Sequence, residues 1–567
     1  EFDPSYGQPY TLNVSSPGLD RPFKTDRDFE RNIGKEVEVK LFAPLMGKKV
    51  NRKKWKKFLR VIFGRTAFVM LFLLIQLVVL FGAFKWLGDH IFFVYGGFTL
   101  LSALVVIYII NQRQNPIYQL AWVIPVLVFP VFGAMFYIFL KLQVGTHRLA
   151  ARLDENLEQT APFLEQNQMV MARLAKESKR ASHLAAYMGR YGGYPIYDKT
   201  YVEYFPLGDV WYPRLLEELE KAERYIFMEY FIVEEGKFWD SVLEVLARKA
   251  KEGVEVRFMY DGMGCLTLLP HHYPQKLERM GIRCKMFSPV KPALSSYQNN
   301  RDHRKITVID GHTAFTGGIN LADEYINQVV RFGHWKDTAV MLKGEAVNSF
   351  LMMFLQMWNV TERGREDYGK YLRSPDYFYP ARLKMDGFVM PYGDSPWDHE
   401  TVGEYVYLDI LNEARNYVHI MTPYLILDSD MITALTFAAK RGVEVVILMP
   451  HVPDKPYAYL LARSYYGELL AAGVRIFEYT PGFIHAKVFS SDGEKAVVGS
   501  VNLDYRSLYL HFECAVYLYR CGAVADVERD FQDTLKACQE ITEEECKRYP
   551  VWKKLAGAGL RLAAPLM

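Results

Sequence analysis

One pattern constrains this chain more than any other: it says the same thing twice. "LLEELEKAERYIFMEYFIVEE" (215–235) reads as a helix followed by an apolar strand, and "YLDILNEARNYVHIMTPYLILD" (407–428) has the same layout. "KEGVEVRFMYD" (251–261) pairs with "KRGVEVVILMP" (440–450), each a helix end, a turn glycine and a buried strand. The offset from Gly253 to Gly442 differs by only a few residues from that between His303 and His485. Spacing this regular implies one α/β unit present twice, with the longer insertion in the first copy. Alternating helix and strand predicts, in each copy, a mixed sheet covered by helices. A period this long means two fused lobes rather than a solenoid. The chain has 567 residues, too many for one ordinary core.

Each lobe also carries the same chemistry. "HRKITVID" (303–310) recurs as "HAKVFSSD" (485–492), and a G-[GS]-x-N element follows both. The first set is His303, Lys305, Asp310, Gly317, Gly318 and Asn320. The second is His485, Lys487, Asp492, Gly499, Ser500 and Asn502. A single H-x-K-x₄-D is weak; two copies in matching lobes are not accidental. Histidine and lysine two apart on a strand face the same side. If the lobes pack about a pseudo-twofold axis, two of each converge. The lysines and asparagines, with Ser500 and Gly318 in support, would then hold phosphate oxygens. One histidine can attack phosphorus, and the other can protonate the departing oxygen and later deprotonate an incoming hydroxyl. The aspartates are expected to fix the imidazole tautomers. Glu229, in "FMEYF", either helps orient a histidine or is an ordinary strand-end carboxylate. A metal centre is the rival reading. Lysine ammoniums repel cations and no third histidine sits at ligand spacing, so no metal or other cofactor is expected.

Ahead of the lobes lies an apolar region. Thr66 to Phe84 and Ile91 to Ile110 contain no charged residue. Each is long enough to cross a hydrocarbon layer of about 30 Å. A third uncharged stretch, 117–140, contains Pro125 and Pro130 and is expected to kink without spanning. The cationic run "GKKVNRKKWKKFLR" (47–60) places the N-terminal flank in the cytoplasm, and two crossings return the catalytic lobes there. The protein is therefore expected in the cell membrane, multi-pass. A net charge of +3 gives no general argument for nucleic acid, and the basic run flanks an apolar segment instead of a groove. Six cysteines without any CxxC pair exclude a zinc ribbon or disulfide framework. The expected division is 1–45, 46–145 (membrane region, helices about 66–86 and 91–110), 146–200 (helical linker), 201–395 (lobe 1) and 396–567 (lobe 2).

The duplicated His-Lys-Asp motif resembles the signature of the phospholipase D superfamily over about residues 200–567. Within it, "NNRDHRKITVIDGHTAFTGGINLADEYI" (299–326), "WKDTAV" (335–340), "GFIHAK" (482–487), "VVGSVNLDYRSL" (497–508) and the ending "GLRLAAPLM" resemble bacterial cardiolipin synthases. Asp302 departs from that pattern, which usually has Asn before the first histidine. The resemblance implies two phospholipase D-like lobes with one site between them, a phosphohistidine intermediate and no metal. It implies His303 as nucleophile and His485 as acid/base, roles the near-symmetry of the motifs leaves exchangeable. The implied substrates are phosphatidylglycerol and membrane lipids. Hydrolase, nuclease, phosphatidylserine synthase and membrane scaffold are the competing readings. Separately, residues 10–45 resemble a fragment of a ribosome maturation factor. Residues 1–45 are expected to derive from a fused reading frame and to add no function.

Overall fold

The computed structural model describes residues 12–15, 38–41, Leu74, Val78 and, with short breaks, 91–566. Residues 1–75 form one unit and 76–567 another. In the first, strands β1 (Leu12–Ser15) and β2 (Glu38–Leu41) pair antiparallel, Leu12 opposite Leu41. The rest of the expected fragment at 10–45 lies outside the described residues, as does the expected first span at 66–86, Leu74 and Val78 apart.

Among the described residues of the second unit, three helices precede the lobes' linker. α1 (Ile91–Ile110) is described at its side chains only from residue 96. Among the described residues no helix is long and apolar enough to cross a membrane. The third apolar stretch is not one kinked helix but two, α2 (Pro116–Val128) and α3 (Pro130–Lys141). The cause is local. Pro130 bars the residue before it from helical geometry, and Phe129 sits at φ −127°, ψ 72°. Pro125, one turn earlier, is tolerated within α2. The two helices fold back so closely that a Cβ on Gly133 would collide with the Pro125 carbonyl. Thirteen residues reach only about 20 Å, short of a span. Val105, Ile109, Val126, Ala134 and Tyr137 form the small core of this bundle. Helices Val144–Thr160, Gln168–Glu177 and Lys179–Tyr187 then link it to the lobes.

Each lobe is built on one mixed sheet. The first holds β3 (Thr200–Phe205), β4 (Tyr225–Tyr230), β5 (Glu255–Asp261), β6 (Arg283–Phe287), β8 (Ile306–Ile309), β9 (Thr313–Gly317) and β11 (Ala339–Gly344), in the order β3-β11-β9-β8-β4-β5-β6. The second holds β12 (Phe388–Asp394), β13 (Tyr417–Met421), β14 (Glu444–Pro450), β15 (Arg475–Tyr479), β17 (Val488–Ser491), β18 (Lys495–Gly499), β19 (His511–Tyr519) and β20 (Cys538–Glu540), in the order β12-β19-β18-β17-β13-β14-β15-β20. Strand β12 thus joins the second sheet although the sequence reading placed it in lobe 1.

Strand alternation sorts the apolar residues into layers. Phe227, Ile306, Val308 and Val340 of the first sheet share one inner core with Leu448, Val488, Val498 and Val516 of the second. Helix α4 (Val347–Asn359), buried along nearly its whole length, joins them. Intervening residues such as Met228 and Phe258, or Ile420 and Ile447, face outward onto covering helices. Among these is α5 (Pro456–Ala471), on which α6 (Glu543–Arg548) and α7 (Val551–Ala563) pack. The result is an αββα sandwich with the two sheets face to face.

Two short parallel pairs stitch the lobes together. β7 (Arg301–Asp302) pairs with the start of β19, Arg301 opposite His511. β10 (His334–Lys336) pairs with β16 (Gly482–Ile484), Lys336 opposite Ile484. Each stitch ends one residue before a motif histidine.

Candidate active site

The stitches dictate what each histidine meets. The His303 N–H donates to the Phe512 carbonyl at 2.9 Å, and the His485 N–H to the Lys336 carbonyl at 2.7 Å. The residue after each carbonyl is an acid from the opposite lobe. Glu513 brings both carboxylate oxygens to 2.9 Å from Nδ1 of His303. Asp337 brings Oδ2 to 2.6 Å from Nδ1 of His485. A carboxylate can only accept, so Nδ1 carries the proton and Nε2 of each ring keeps its lone pair. The histidines, lysines and both acids are all buried.

This corrects the expected role of the motif aspartates. Asp310 accepts from the backbone N–H groups of Glu223, Arg224 and Tyr225 at 2.7–2.9 Å. Asp492 accepts in the same way from Arg415, Asn416 and Tyr417 at 2.8–3.0 Å. Both sit in left-handed turns, at φ 52° and 55°. They tie each motif hairpin to the start of the neighbouring strand and bond to neither motif imidazole. Glu229 is corrected too: it pairs with Arg304 Nη2 at 2.6 Å in full burial and touches no histidine. Burial holds its carboxyl well above the usual range, against the pull of Arg304. Asp302, at the departure from the family pattern, lies 3.3 Å from the same guanidinium.

The remaining motif residues support the acids or the loops. Gly318 must lack a side chain, because a Cβ there would strike Oδ1 of Asp337. Ser500 donates its hydroxyl to Glu513. Asn320 accepts from the Ile232 N–H at 3.0 Å and donates to the Tyr325 hydroxyl at 2.9 Å. Asn502 donates to Ser507 at 3.0 Å, and among the described residues its buried Oδ1 has no hydrogen-bond partner.

Charge is concentrated at the centre. Lys305 and Lys487 donate to the carbonyls of His303 and His485, and Lys487 Nζ also lies 2.9 Å from Nδ1 of His485. Burial pushes Lys305 down to about 8, and burial with the nearby Lys305 charge pushes Lys487 down to about 7 despite Asp337. Burial, then these ammoniums, hold both imidazoles well below their usual range. His303 feels Lys487 and His485 as well as its own lysine, so the two motifs share one electrostatic centre. Two buried lysines near the point of losing their charge, beside two neutral imidazoles, suit a phosphodiester anion, whose charge would keep both protonated.

The sequence reading missed Asp337, Glu513, Arg304 and His511. The legible signal was an acid inside an apolar strand, as in "HFECAVYLY": a buried carboxylate needs a partner. His511 also answers the expectation of no third histidine. Its ring lies 5.6 Å from that of His303, and among the described residues neither of its nitrogens has a hydrogen-bond partner. With His303 and Glu513 it makes a group whose donor atoms lie within 4.8 Å of one another and could hold a metal ion. The lysine charges beside that group oppose a cation.

Comparison with known proteins bears on the family of the chain. The family described as "Cardiolipin synthase, PLD-like domain" matches residues 215–358 and 407–535, and "Phospholipase_D-nuclease N-terminal" matches 100–141. An uncharacterized protein of Streptococcus mutans is 49% identical over 462 residues, covering 82% of this chain and 99% of its own. A cardiolipin synthase of Alkalihalophilus pseudofirmus is 34% identical over 477 residues, covering 83% of this chain and 93% of its own. Another, of a Geobacillus species, is 34% identical over 484 residues, covering 83% and 94%. The crystal structure of phosphatidylserine synthase from Haemophilus influenzae superposes with a TM-score of 0.49 at 15% identity, covering 64% of this chain and 94% of that one. With one family model matching both duplicated lobes and a third of its residues shared along nearly the full length of these synthases, the chain belongs to the cardiolipin synthase family of phospholipase D-like proteins.

Proposed function

We propose that this protein is a cardiolipin synthase: a phosphatidyltransferase that joins two phosphatidylglycerol molecules and releases glycerol. One observation carries the reading. Two imidazoles, each oriented at Nδ1 by an acid from the other lobe, flank two buried lysines. Nε2 of His303 attacks phosphorus, the N–P bond forms, and the P–O bond to glycerol breaks. His485 gives that oxygen its proton. Burial first and the lysine charge second depress His485; the bound phosphodiester anion offsets the second of these and favours a proton on the imidazole at this stage. In the second half His485 removes the proton from a hydroxyl of another phosphatidylglycerol. That oxygen displaces His303 from phosphorus and cardiolipin leaves. Lys305 and Lys487 hold the phosphate oxygens, with Asn320, Asn502, Ser500 and Gly318 shaping the loops around them. Each step needs only these side chains, with no cofactor or nucleotide. The reading has no place for nucleic acid. It places the protein in the cell membrane through segments 66–86 and 91–110, with the lobes cytoplasmic. Residues 1–45, the ribosome maturation factor-like fragment, add nothing to it.

Full-length protein in phosphatidylglycerol vesicles, without nucleotide or divalent metal, is expected to yield cardiolipin and free glycerol in equal amounts. Phosphatidic acid as the sole lipid product would instead make it a hydrolase. The pH profile is a second expected result. Lys487 and Lys305 lose charge as pH rises through about 7 and about 8. kcat/KM, which reports the free enzyme, should therefore fall above neutrality, while kcat should hold to higher pH because bound phosphate keeps the lysines protonated. A flat kcat/KM from pH 6 to about 9 would remove the lysines from phosphate binding.

A further inference from the structure

The C-terminal helix carries a feature the catalytic reading does not use. On α7, Val551, Trp552, Leu555 and Leu562 are 65–71% exposed. At 100° per residue they fall on one stripe. The opposite side is fixed to the protein: Gly557 is buried against α5, where a Cβ would come within 3.0 Å of Ser464 Cβ. The exposed stripe is therefore not a disengaged core face. Lys553 and Lys554 flank it, and among the described residues neither pairs with a carboxylate. Lys553 lies over the Tyr549 and Trp552 rings at 5.3 and 5.6 Å.

Beneath the helix, between α5, α6 and α7, is a cavity of about 540 Å³. Arg463, Lys547, Lys553, Lys554 and Arg561 line it. Glu543 pairs with Lys547, Glu468 with Arg561 and the buried Glu478 with Arg463, so the excess of positive charge among the described residues rests on Lys553 and Lys554. The neighbours of α7 matter as well. It packs against α2, whose Leu120, Ile124 and Leu127 are exposed. Asn115, at the start of α2, bonds to Asp428 and Tyr509 of the second lobe, so the apolar helices are docked on this side of the catalytic body. An apolar stripe bearing tryptophan, edged by lysines and continuous with other exposed apolar helices, suits a lipid–water boundary.

We propose that α7 lies in the headgroup layer of the membrane and that the basic cavity beneath it holds the phosphate of an anionic phospholipid. The proposal rests on reading residues 46–145 as the membrane region. It adds a second lipid site, outside the catalytic pocket, that would keep the lobes against anionic lipid. The stripe enters the acyl boundary, and Lys553 and Lys554 meet the phosphate.

The test needs no turnover, so failure to make cardiolipin would leave it readable. Full-length protein is reconstituted in vesicles of phosphatidylglycerol or of phosphatidylcholine, each containing lipids brominated high on the acyl chain. The Trp552 signal is the difference between the unmodified protein and Trp552→Phe. It should be quenched strongly in phosphatidylglycerol and weakly in phosphatidylcholine. Each lysine near an anionic surface is worth roughly fivefold in affinity, so Lys553→Glu with Lys554→Glu should abolish the difference between the lipids. Inorganic phosphate added to phosphatidylcholine vesicles should not reproduce the effect; if it does, the cavity is a free-anion site and the lipid assignment fails. An unquenched Trp552 in phosphatidylglycerol, or equal quenching in both lipids, would overturn the proposal.

Discussion

His303→Ala is expected to abolish formation of cardiolipin and release of glycerol, with a loss on the order of 10⁵- to 10⁶-fold, as when the nucleophile of a covalent enzyme is deleted. His485→Ala should be similarly inactive. The reason is geometric. Neither lobe contains a complete set of reacting groups, because the nucleophile sits on one and the acid/base on the other. Both rings are buried and oriented at Nδ1 by an acid across the lobe junction, an orientation that the neighbouring His511, whose nitrogens have no hydrogen-bond partner among the described residues, lacks. The two histidines differ in what they should retain. Alkaline quenching of the unmodified enzyme, chosen because phosphohistidine is acid-labile, followed by peptide mapping should find the phosphatidyl group on His303. A label on the peptide containing His485 would exchange their roles. Normal turnover in either alanine variant would end the two-histidine mechanism.

Asp337→Asn and Glu513→Gln should each lower kcat by about 10³- to 10⁴-fold, the cost of losing the acid that orients a catalytic imidazole. An amide can donate to Nδ1 as well as accept from it, so the ring can settle in the tautomer that buries its proton at Nε2. These acids are positioning residues, and the measurements should show that. KM should move little, circular dichroism should be unchanged, and Glu513→Asp should recover part of the rate. Asp310→Asn makes a useful contrast. It leaves the imidazoles alone and weakens the anchoring of three backbone N–H groups. Its loss should therefore appear as a lower midpoint of thermal unfolding, by roughly 1–3 kcal/mol of stability, more than as a lower kcat. Full activity in Asp337→Asn or Glu513→Gln would show that the cross-lobe contacts are structural only.

The sequence by itself determined the repeat and, through it, the fold class. Two helix-strand units with matched glycines, and two H-x-K-x₄-D motifs at nearly the same offset, required two α/β lobes. Strand alternation predicted that each histidine shares a face with its lysine, but 303–305 and 485–487 lie in the irregular links between β7 and β8 and between β16 and β17, and there each lysine turns back onto the carbonyl of its histidine. The helix-strand units and their motifs are local properties, fixed by chain geometry over a few residues. What only the tertiary structure decided is who partners whom. Asp310 and Asp492 stand in the motif, yet a left-handed turn aims their carboxylates at backbone N–H groups of the adjoining strand. Asp337 and Glu513 stand outside it, yet the two interlobe stitches set each of them beside the opposite histidine. The bend of the third apolar stretch at Phe129 was likewise foreshadowed by Pro130, but its close return onto Pro125 was not. Contacts between lobes depend on how two sheets stack and which strand ends meet. No periodicity within either lobe encodes that, because the meeting ends are far apart along the chain.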